Sequence, residues 1–443
     1  MAAGYEEDNV AGVRVARACA IAFVLAAIAG AGTALVCRRP AAVPAPPPAP
    51  AAEFARPTPG AEAPPREEIP AEEPGAAEEV TGPPEEVVEA PSGPAPAPVS
   101  AGLSQLRSRV ENEKPSAEEI RSREEAVRTQ LAKIHSELWA IGGGSWEEWA
   151  RRLEPFRADL RRKGRGPPRD GFHFLGTRLL GADRIPDEPD WPLRAVLHLD
   201  KQLKARGIDL IFVPIPDKEL VYPDMLSDHC PPGRLVGVAL KRLCKELLDN
   251  DVEVIDLATV FSDYRDQTGD RERLYERCDT HWRNLGARIA AAQIAQRLKR
   301  YRFVQEALAR PALFQTHVVS VPGGDDLAGR DKERILADPS FDDQCVCVRY
   351  KDGQVYADVE DSPVILTADS FGRKRIGMGA QTSAHVALNI NLPVTLLHAM
   401  GSGPQIPAML AEQGAGYLKG RRVVVWTGVT RQFWGQWAMD ELR

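Results

Sequence analysis

From about Gly171 to the C-terminus, short apolar runs alternate with stretches of helical periodicity, and this alternation limits the fold more than any other feature. Ile208 to Ile215 (IDLIFVPI) has the near-continuous apolar character of a parallel strand buried on both faces. Leu193, Val196, Leu197 and Leu203 precede it at helical spacing, and Val236, Leu240, Leu243 and Leu247 follow it in the same way. Further strands are predicted over Val252 to Leu257, Pro363 to Thr367, Val394 to Leu397 and Arg422 to Trp426. Helices are predicted over Asn284 to Arg300, Ala380 to Ile390 and Ile406 to Gln413. Cys345 to Tyr350 and Gln354 to Ala357, joined by Lys351-Asp352-Gly353, predict a hairpin. The pattern implies an α/β domain over residues 171–443, a doubly wound and mostly parallel sheet with helices on both faces. Chemistry in such a sheet lies beyond the C-terminal strand ends. Pro216-Asp217-Lys218, Ala368-Asp369-Ser370-Phe371 and Trp426-Thr427-Gly428 are the polar segments expected there.

The N-terminal part has a different composition. Ala18 to Cys37 is an uncharged stretch of 20 residues, the length that spans a bilayer core, flanked by Arg14, Arg17, Arg38 and Arg39. It predicts a retained transmembrane anchor over residues 14–39, with residues 1–13 as a cytoplasmic tail. The rival is a cleaved signal peptide, with Ala29-Gly30-Ala31 as its small-residue site. Residues 40–100 hold 18 of the 37 prolines, and their 11 Glu against Arg56 and Arg66 leave the segment at -9. That composition buries too little to offset chain entropy and predicts a disordered, extended linker. The chain's net charge of -7 then leaves the remainder near neutral, without the basic field that nucleic-acid binding needs. Residues 101–170 predict a helical stalk. Leu103, Leu106 and Val110 come before Pro115, and Ser116 with Glu119 forms a capping box. Ile120, Val127, Leu131, Ile134 and Leu138 then form a stripe that is short for a coiled coil. Gly142-Gly143-Gly144 ends it, and Ser145 with Glu148 caps a helix carrying Trp146, Trp149, Leu153 and Phe156.

Two short segments carry the chemistry. Ser370 follows a buried strand, where its Oγ and neighbouring N–H groups would suit a nucleophile with an oxyanion site; the plainer reading is a helix cap. Cys278-Asp279-Thr280-His281-Trp282 sets a carboxylate two residues from an imidazole, which it can hold in one tautomer. The plainer reading there is that Asp279 caps the following helix. Together the two segments supply all three roles of a Ser-His-Asp triad.

The pair DTHW and DSF, with the preceding PIPDKELVYPD, resembles the alginate O-acetyltransferase family of the AlgJ/AlgX type, SGNH hydrolase-like proteins of the bacterial periplasm. In that family the D-x-H-W block comes before the G-D-S-F block, as it does here. The resemblance extends to GMGAQTSAHVALNINLPV and the closing RRVVVWTGVTRQF. It implies Asp279, His281 and Ser370 as catalytic residues and a membrane-bound O-acyltransferase as acetyl donor. Ala368 departs from the family's Gly, which puts the shape of the turn in question.

Lys218 and Arg431, at strand ends, are candidates to bind an anionic sugar or acyl donor, with a solvated strand-end charge as the alternative reading; Tyr222 and Trp282 are candidates to stack on a sugar ring, although a tryptophan such as Trp282 is more often core packing. His385 and His398 lack metal-ligand spacing, and no nucleotide-binding or zinc pattern occurs, so no metal or cofactor is expected. No Cys-x-x-Cys occurs among the seven cysteines, and disulfide connectivity is not readable. The expectation is therefore an inner-membrane-anchored, periplasm-facing polysaccharide O-acetyltransferase. A carbohydrate esterase with the same triad and a non-catalytic polysaccharide-binding scaffold are its rivals.

Overall fold

The computed structural model describes residues 97–163, 171–175, 191–269, 271–329, 332–399, 401, 403–414, 416–433 and 437–442. The predicted anchor, tail and nearly all of the linker lie outside these residues. No helix among the described residues is long and apolar enough to cross a membrane.

Four helices come first: α1 (Ala97–Asn112), α2 (Ala117–Gly142), α3 (Trp146–Arg152) and α4 (Glu154–Lys163). The capping box forms as expected, with Glu119 N–H donating to Ser116 Oγ (3.1 Å) and Ser116 N–H to Glu119 Oε2 (3.0 Å). The helices α5 (Trp191–Lys204), α6 (Val238–Asp249) and α7 (Leu257–Thr268) alternate with β1 (Asp209–Ile215) and β2 (Glu253–Val254). Then follow α8 (Asn284–Leu298), α9 (Arg302–Leu308), β3 (Phe314–Val321), β4 (Asp343–Tyr350), β5 (Val364–Ala368), α10 (Thr382–Ile390), β6 (Thr395–His398), α11 (Ile406–Glu412) and β7 (Val423–Val429).

The main sheet is parallel, in the order β2-β1-β7-β5-β6. The connections from β1 to β2 and from β5 to β6 run outward in opposite directions. This leaves a crevice at β7, where ligands bind in folds of this kind. The central strands β5 and β7 are buried along their whole length, which is why their sequences read as continuous apolar runs. Leu210, Phe212, Val254, Ile365, Val424 and Trp426 face one core, packed against residues of α5, α6 and α11.

Three expectations need correction. The predicted stalk is part of the domain: Ile134, Leu138, Trp149, Leu153 and Phe156 enter the same core as the sheet. Trp149 Nε1 donates to Leu235 O (3.2 Å), and Arg107 donates to the carbonyls of Gly416 and Tyr417 (3.1 and 2.9 Å). The apolar stripe of α2 meets α3, α6 and β2 rather than a coiled-coil partner. Second, the strand expected from Val252 shrinks to Glu253–Val254, because Asp256 caps α7 by accepting from Thr259 N–H (3.4 Å). Third, the ladder partner of β4 is β3, antiparallel from Phe314 opposite Tyr350 to Val321 opposite Asp343. The expected hairpin survives as a short return, with Tyr350 N–H donating to Gln354 O (2.8 Å) and Tyr356 N–H to Val348 O (3.0 Å).

Candidate active site

The loops after β1, β5 and β7 meet a fourth that precedes α8. In this fourth loop Tyr275 and Trp282 form an isolated antiparallel bridge, Glu276 N–H donates to His281 O (3.1 Å), and Arg283 N–H donates to Leu274 O (2.8 Å). Arg277 to Thr280 are the tip of this narrow return, which folds Asp279 onto His281. Asp279 does not cap α8. The first N–H of that helix, on Asn284, donates to Asp343 Oδ2 (2.8 Å). Asp279 Oδ1 instead accepts His281 N–H (2.9 Å) and lies 2.8 Å from His281 Nδ1. A carboxylate only accepts, so Nδ1 carries the proton and Nε2 is left as an acceptor.

Ser370 opens the one-turn helix Ser370–Arg373 directly after β5, but it is not the cap. Asp369, fully buried, accepts Phe371 N–H through Oδ1 and Val429 N–H through Oδ2, both at 2.9 Å. This carboxylate ties the end of β5 to the end of β7, and burial pushes its pKa up. The Ser370 hydroxyl meets His281 Nε2 at 2.9 Å. Trp282 Nε1 donates to Phe371 O (2.9 Å), fastening the histidine loop to the serine loop, and the His281 and Phe371 rings lie 4.7 Å apart. Ser370, His281 and Asp279 thus stand in the relay of a nucleophile, a base and its orienting carboxylate.

Two charged residues at this site had no part in the sequence reading. Lys374 Nζ donates to Asp279 Oδ2 (2.5 Å) and lies 3.5 Å from Glu276 Oε1. Asp326, in the loop after β3, brings Oδ2 to 3.7 Å from His281 Nδ1. Burial alone would raise the pKa of Asp279; the Lys374 ammonium and the imidazole outweigh it and hold the carboxylate well below its usual range. Burial, and next the Asp279 carboxylate, push Asp326 up to about 6. The backbone at Gly324 presses on the same carboxylate, since a Cβ there would lie 1.9 Å from Asp279 Oδ2. The spacing of Lys374, four positions after Ser370, and the Pro322-Gly323-Gly324-Asp325-Asp326 run were the available signals. Asp279, His281 and Asp326 also offer three ligand atoms within 4.8 Å of one another. A cation there would compete with the ammonium already on Asp279 Oδ2 and with the proton on Nδ1.

The weaker candidates separate. Lys218 is buried, and its ammonium donates to the carbonyls of His173 (2.7 Å), Arg277 (2.8 Å) and Asp279 (3.2 Å). It clamps the triad loop from beneath and faces inward, so its position corrects the expectation of a sugar or acyl-donor contact. Tyr222 is fully buried, and its hydroxyl accepts Leu274 N–H (2.9 Å), so its ring is not offered to a sugar. Trp282 is likewise core, with Nε1 engaged on Phe371 O. Arg431 stays at the site's edge, donating to Asp217 Oδ1 (3.2 Å) and Thr280 Oγ1 (3.4 Å) above the Phe371 ring. Among the predicted residues the structure therefore joins Ser370, His281, Asp279 and Arg431 around one point. It places Lys218, Tyr222 and Trp282 behind them.

No curated protein matches the chain. Among solved structures, the O-acetyltransferase domain of Pseudomonas putida AlgJ is similar at 22% identity and a TM-score of 0.46, covering 61% of this chain and 92% of that one. Pseudomonas aeruginosa AlgX is similar at 16% identity and a TM-score of 0.37, covering 54% of this chain and 55% of that one. Bacillus cereus PatB1 is similar at 12% identity and a TM-score of 0.33, covering 60% and 93%. The family model for the SGNH hydrolase-like domain of acetyltransferase AlgX matches residues 174–412, more than half of the sequence. On that match the chain belongs to the AlgX family of SGNH hydrolase-like acetyltransferases.

Proposed function

We propose that the chain acetylates hydroxyl groups of an alginate-type exopolysaccharide through an acyl-enzyme on Ser370. The observation that carries this reading is the continuous contact from Ser370 Oγ to His281 Nε2 (2.9 Å) and from His281 Nδ1 to Asp279 Oδ1 (2.8 Å). In the first half-reaction Oγ attacks the donor's acetyl carbonyl while its proton passes to Nε2. The tetrahedral intermediate collapses, the donor's oxygen leaves with the proton from Nε2, and acetyl-Ser370 remains. In the second half-reaction a sugar hydroxyl gives its proton to Nε2 and attacks the acetyl carbonyl. Collapse returns that proton to Ser370 Oγ and releases the sugar ester. Asp279, locked as a carboxylate, orients the imidazole and stabilises the imidazolium in both halves.

The uncharged run Ala18–Cys37 and the Pro- and Glu-rich residues 40–100 support an inner-membrane anchor and a tether holding this domain in the periplasm. A membrane-bound O-acyltransferase is the proposed acetyl source, on the family resemblance. The test is incubation with an acetyl-ester donor and candidate glycans, following acetate release against glycan mass. Glycan gaining acetyl groups faster than acetate appears supports transfer. Acetate release without glycan acetylation would overturn transfer in favour of an esterase, and activity that survives Ser370→Ala would overturn the acyl-enzyme.

A further inference from the structure

We propose that Lys374 is a positioning residue whose ammonium offsets the carboxylates around His281 and so keeps the imidazole available as a base at neutral pH. This rests on the triad reading above. Two carboxylates face His281 Nδ1: Asp279 Oδ1 at 2.8 Å and Asp326 Oδ2 at 3.7 Å. Carboxylates so placed favour the imidazolium, which cannot accept the Ser370 proton. The Lys374 ammonium, 2.5 Å from Asp279 Oδ2, counters that field at its nearest source. The Gly324 backbone lies against the same oxygen, so little solvent intervenes to damp the contact.

The placement of Lys374 is fixed from both sides. Its N–H donates to Ser370 O (3.0 Å), so nucleophile and countercharge ride on the same helical turn. Beyond it, Glu276 Oε1 lies 3.5 Å from both Lys374 Nζ and an Arg375 guanidinium nitrogen. Arg375, Glu276, Lys374, Asp279 and His281 form a row of alternating charge that ends at the catalytic imidazole. Of the other charged neighbours, Asp369 is held by two backbone N–H groups, Lys218 lies on the Asp279 carbonyl, Arg431 is engaged by Asp217 Oδ1 and Thr280 Oγ1, and Asp343 by Arg283 and Asn284 N–H.

The test uses the full chain. In Lys374→Met the acid limb of the rate against pH should move up by about one pH unit or more. The plateau rate at high pH should stay within about tenfold, because Asp279 still orients the ring. Lys374→Arg should keep the wild-type limb, and Asp326→Asn added to Lys374→Met should move the limb back down. A merely structural lysine would show neither rescue. Lys374→Gln is the second neutral variant should methionine not fold. Independently, in Ser370→Ala protein labelled with 13C-histidine, the His281 ring signal, assigned with His281→Gln, should titrate at higher pH once Lys374 is neutralised. An active Ser370→Ala protein would overturn the triad without affecting that titration. A His281 signal that does not move would overturn the role of Lys374.

Discussion

Gly372 stands so close to Ala368 that a Cβ built on it would lie 2.4 Å from the alanine's own Cβ. The serine turn folds straight back over the last residue of β5, and the crowding falls on this pair. Ala368 is a strand residue, and it is not among those with positive φ, so its backbone has no need of glycine. The departure from the family's Gly-Asp-Ser-Phe is thus absorbed by the glycine four positions later. Gly372→Ala is expected to displace the Ser370 turn, lowering activity about a hundredfold and stability by about 1–3 kcal/mol. Adding Ala368→Gly should recover much of both, because it removes the other methyl of the clash. Kinetics and thermal melts of the single and double variants check this, and independent effects would reject the pairwise account.

In the proposed mechanism the Ser370 hydroxyl is the group that bonds to acetyl. Ser370→Ala is expected to lower acetyl transfer by at least about a thousandfold, while the melting temperature stays near wild type because Asp369 makes the local cap. Intact-mass measurement after mixing with an acetyl ester should show an acetyl adduct on the wild-type chain and none on the variant. An adduct on both would place the acyl group elsewhere.

Asp279→Asn separates catalysis from capping. Asn is itself a good cap, and the cap of α8 in any case comes from Asp343. A capping role would leave the rate unchanged. An orienting role predicts a fall of about ten-thousandfold, since an amide can present its N–H to the imidazole and favour the wrong tautomer. The rate at saturating substrate decides between them.

What could be read ahead of the structure follows burial and proximity in sequence. β1, β5 and β7 were plain because strands covered on both faces must be apolar throughout. β3 (FQTHVVSV) was not, because most of it is exposed or half-exposed and its pairing with β4 is set by the tertiary fold. Asp279 and His281 were found because they lie two positions apart, and Ser370 because it follows an apolar run. Asp326 was missed because it reaches the triad only through a folded loop, and Lys374 because, although it lies four positions after Ser370, the carboxylate it contacts is 95 positions away. The stalk was misread because its apolar stripe is compatible with either a partner helix or the domain's own core.

Asp326 gives a pH test of the site's electrostatics. Its folded-state pKa, raised from 3.8 to about 6, means that the native chain binds this proton more tightly than the unfolded chain. The group's contribution to stability is therefore present below about pH 4 and is lost as pH rises through about 6. Asp326→Asn should melt higher than wild type above pH 6, and the difference should close toward pH 4. A difference independent of pH would show that the Asp326 carboxylate does not feel Asp279.

Lys218 decides between a clamp and a ligand contact. Its three N–H donors meet three carbonyls, those of His173, Arg277 and Asp279. Lys218→Met would leave all three without this donor and is expected to cost about 3 kcal/mol at neutral pH. Burial also lowers the pKa of Lys218 from 10.5 to about 7. Between those values the unfolded chain holds the extra proton, so this group's contribution grows as pH rises above 7 and is lost as pH falls through 7. The methionine variant should lack that slope. The loop bearing Asp279 would be loosened, so kcat should fall while KM for an anionic glycan stays near wild type. An unchanged kcat with a raised KM for anionic glycans alone would instead return Lys218 to the substrate.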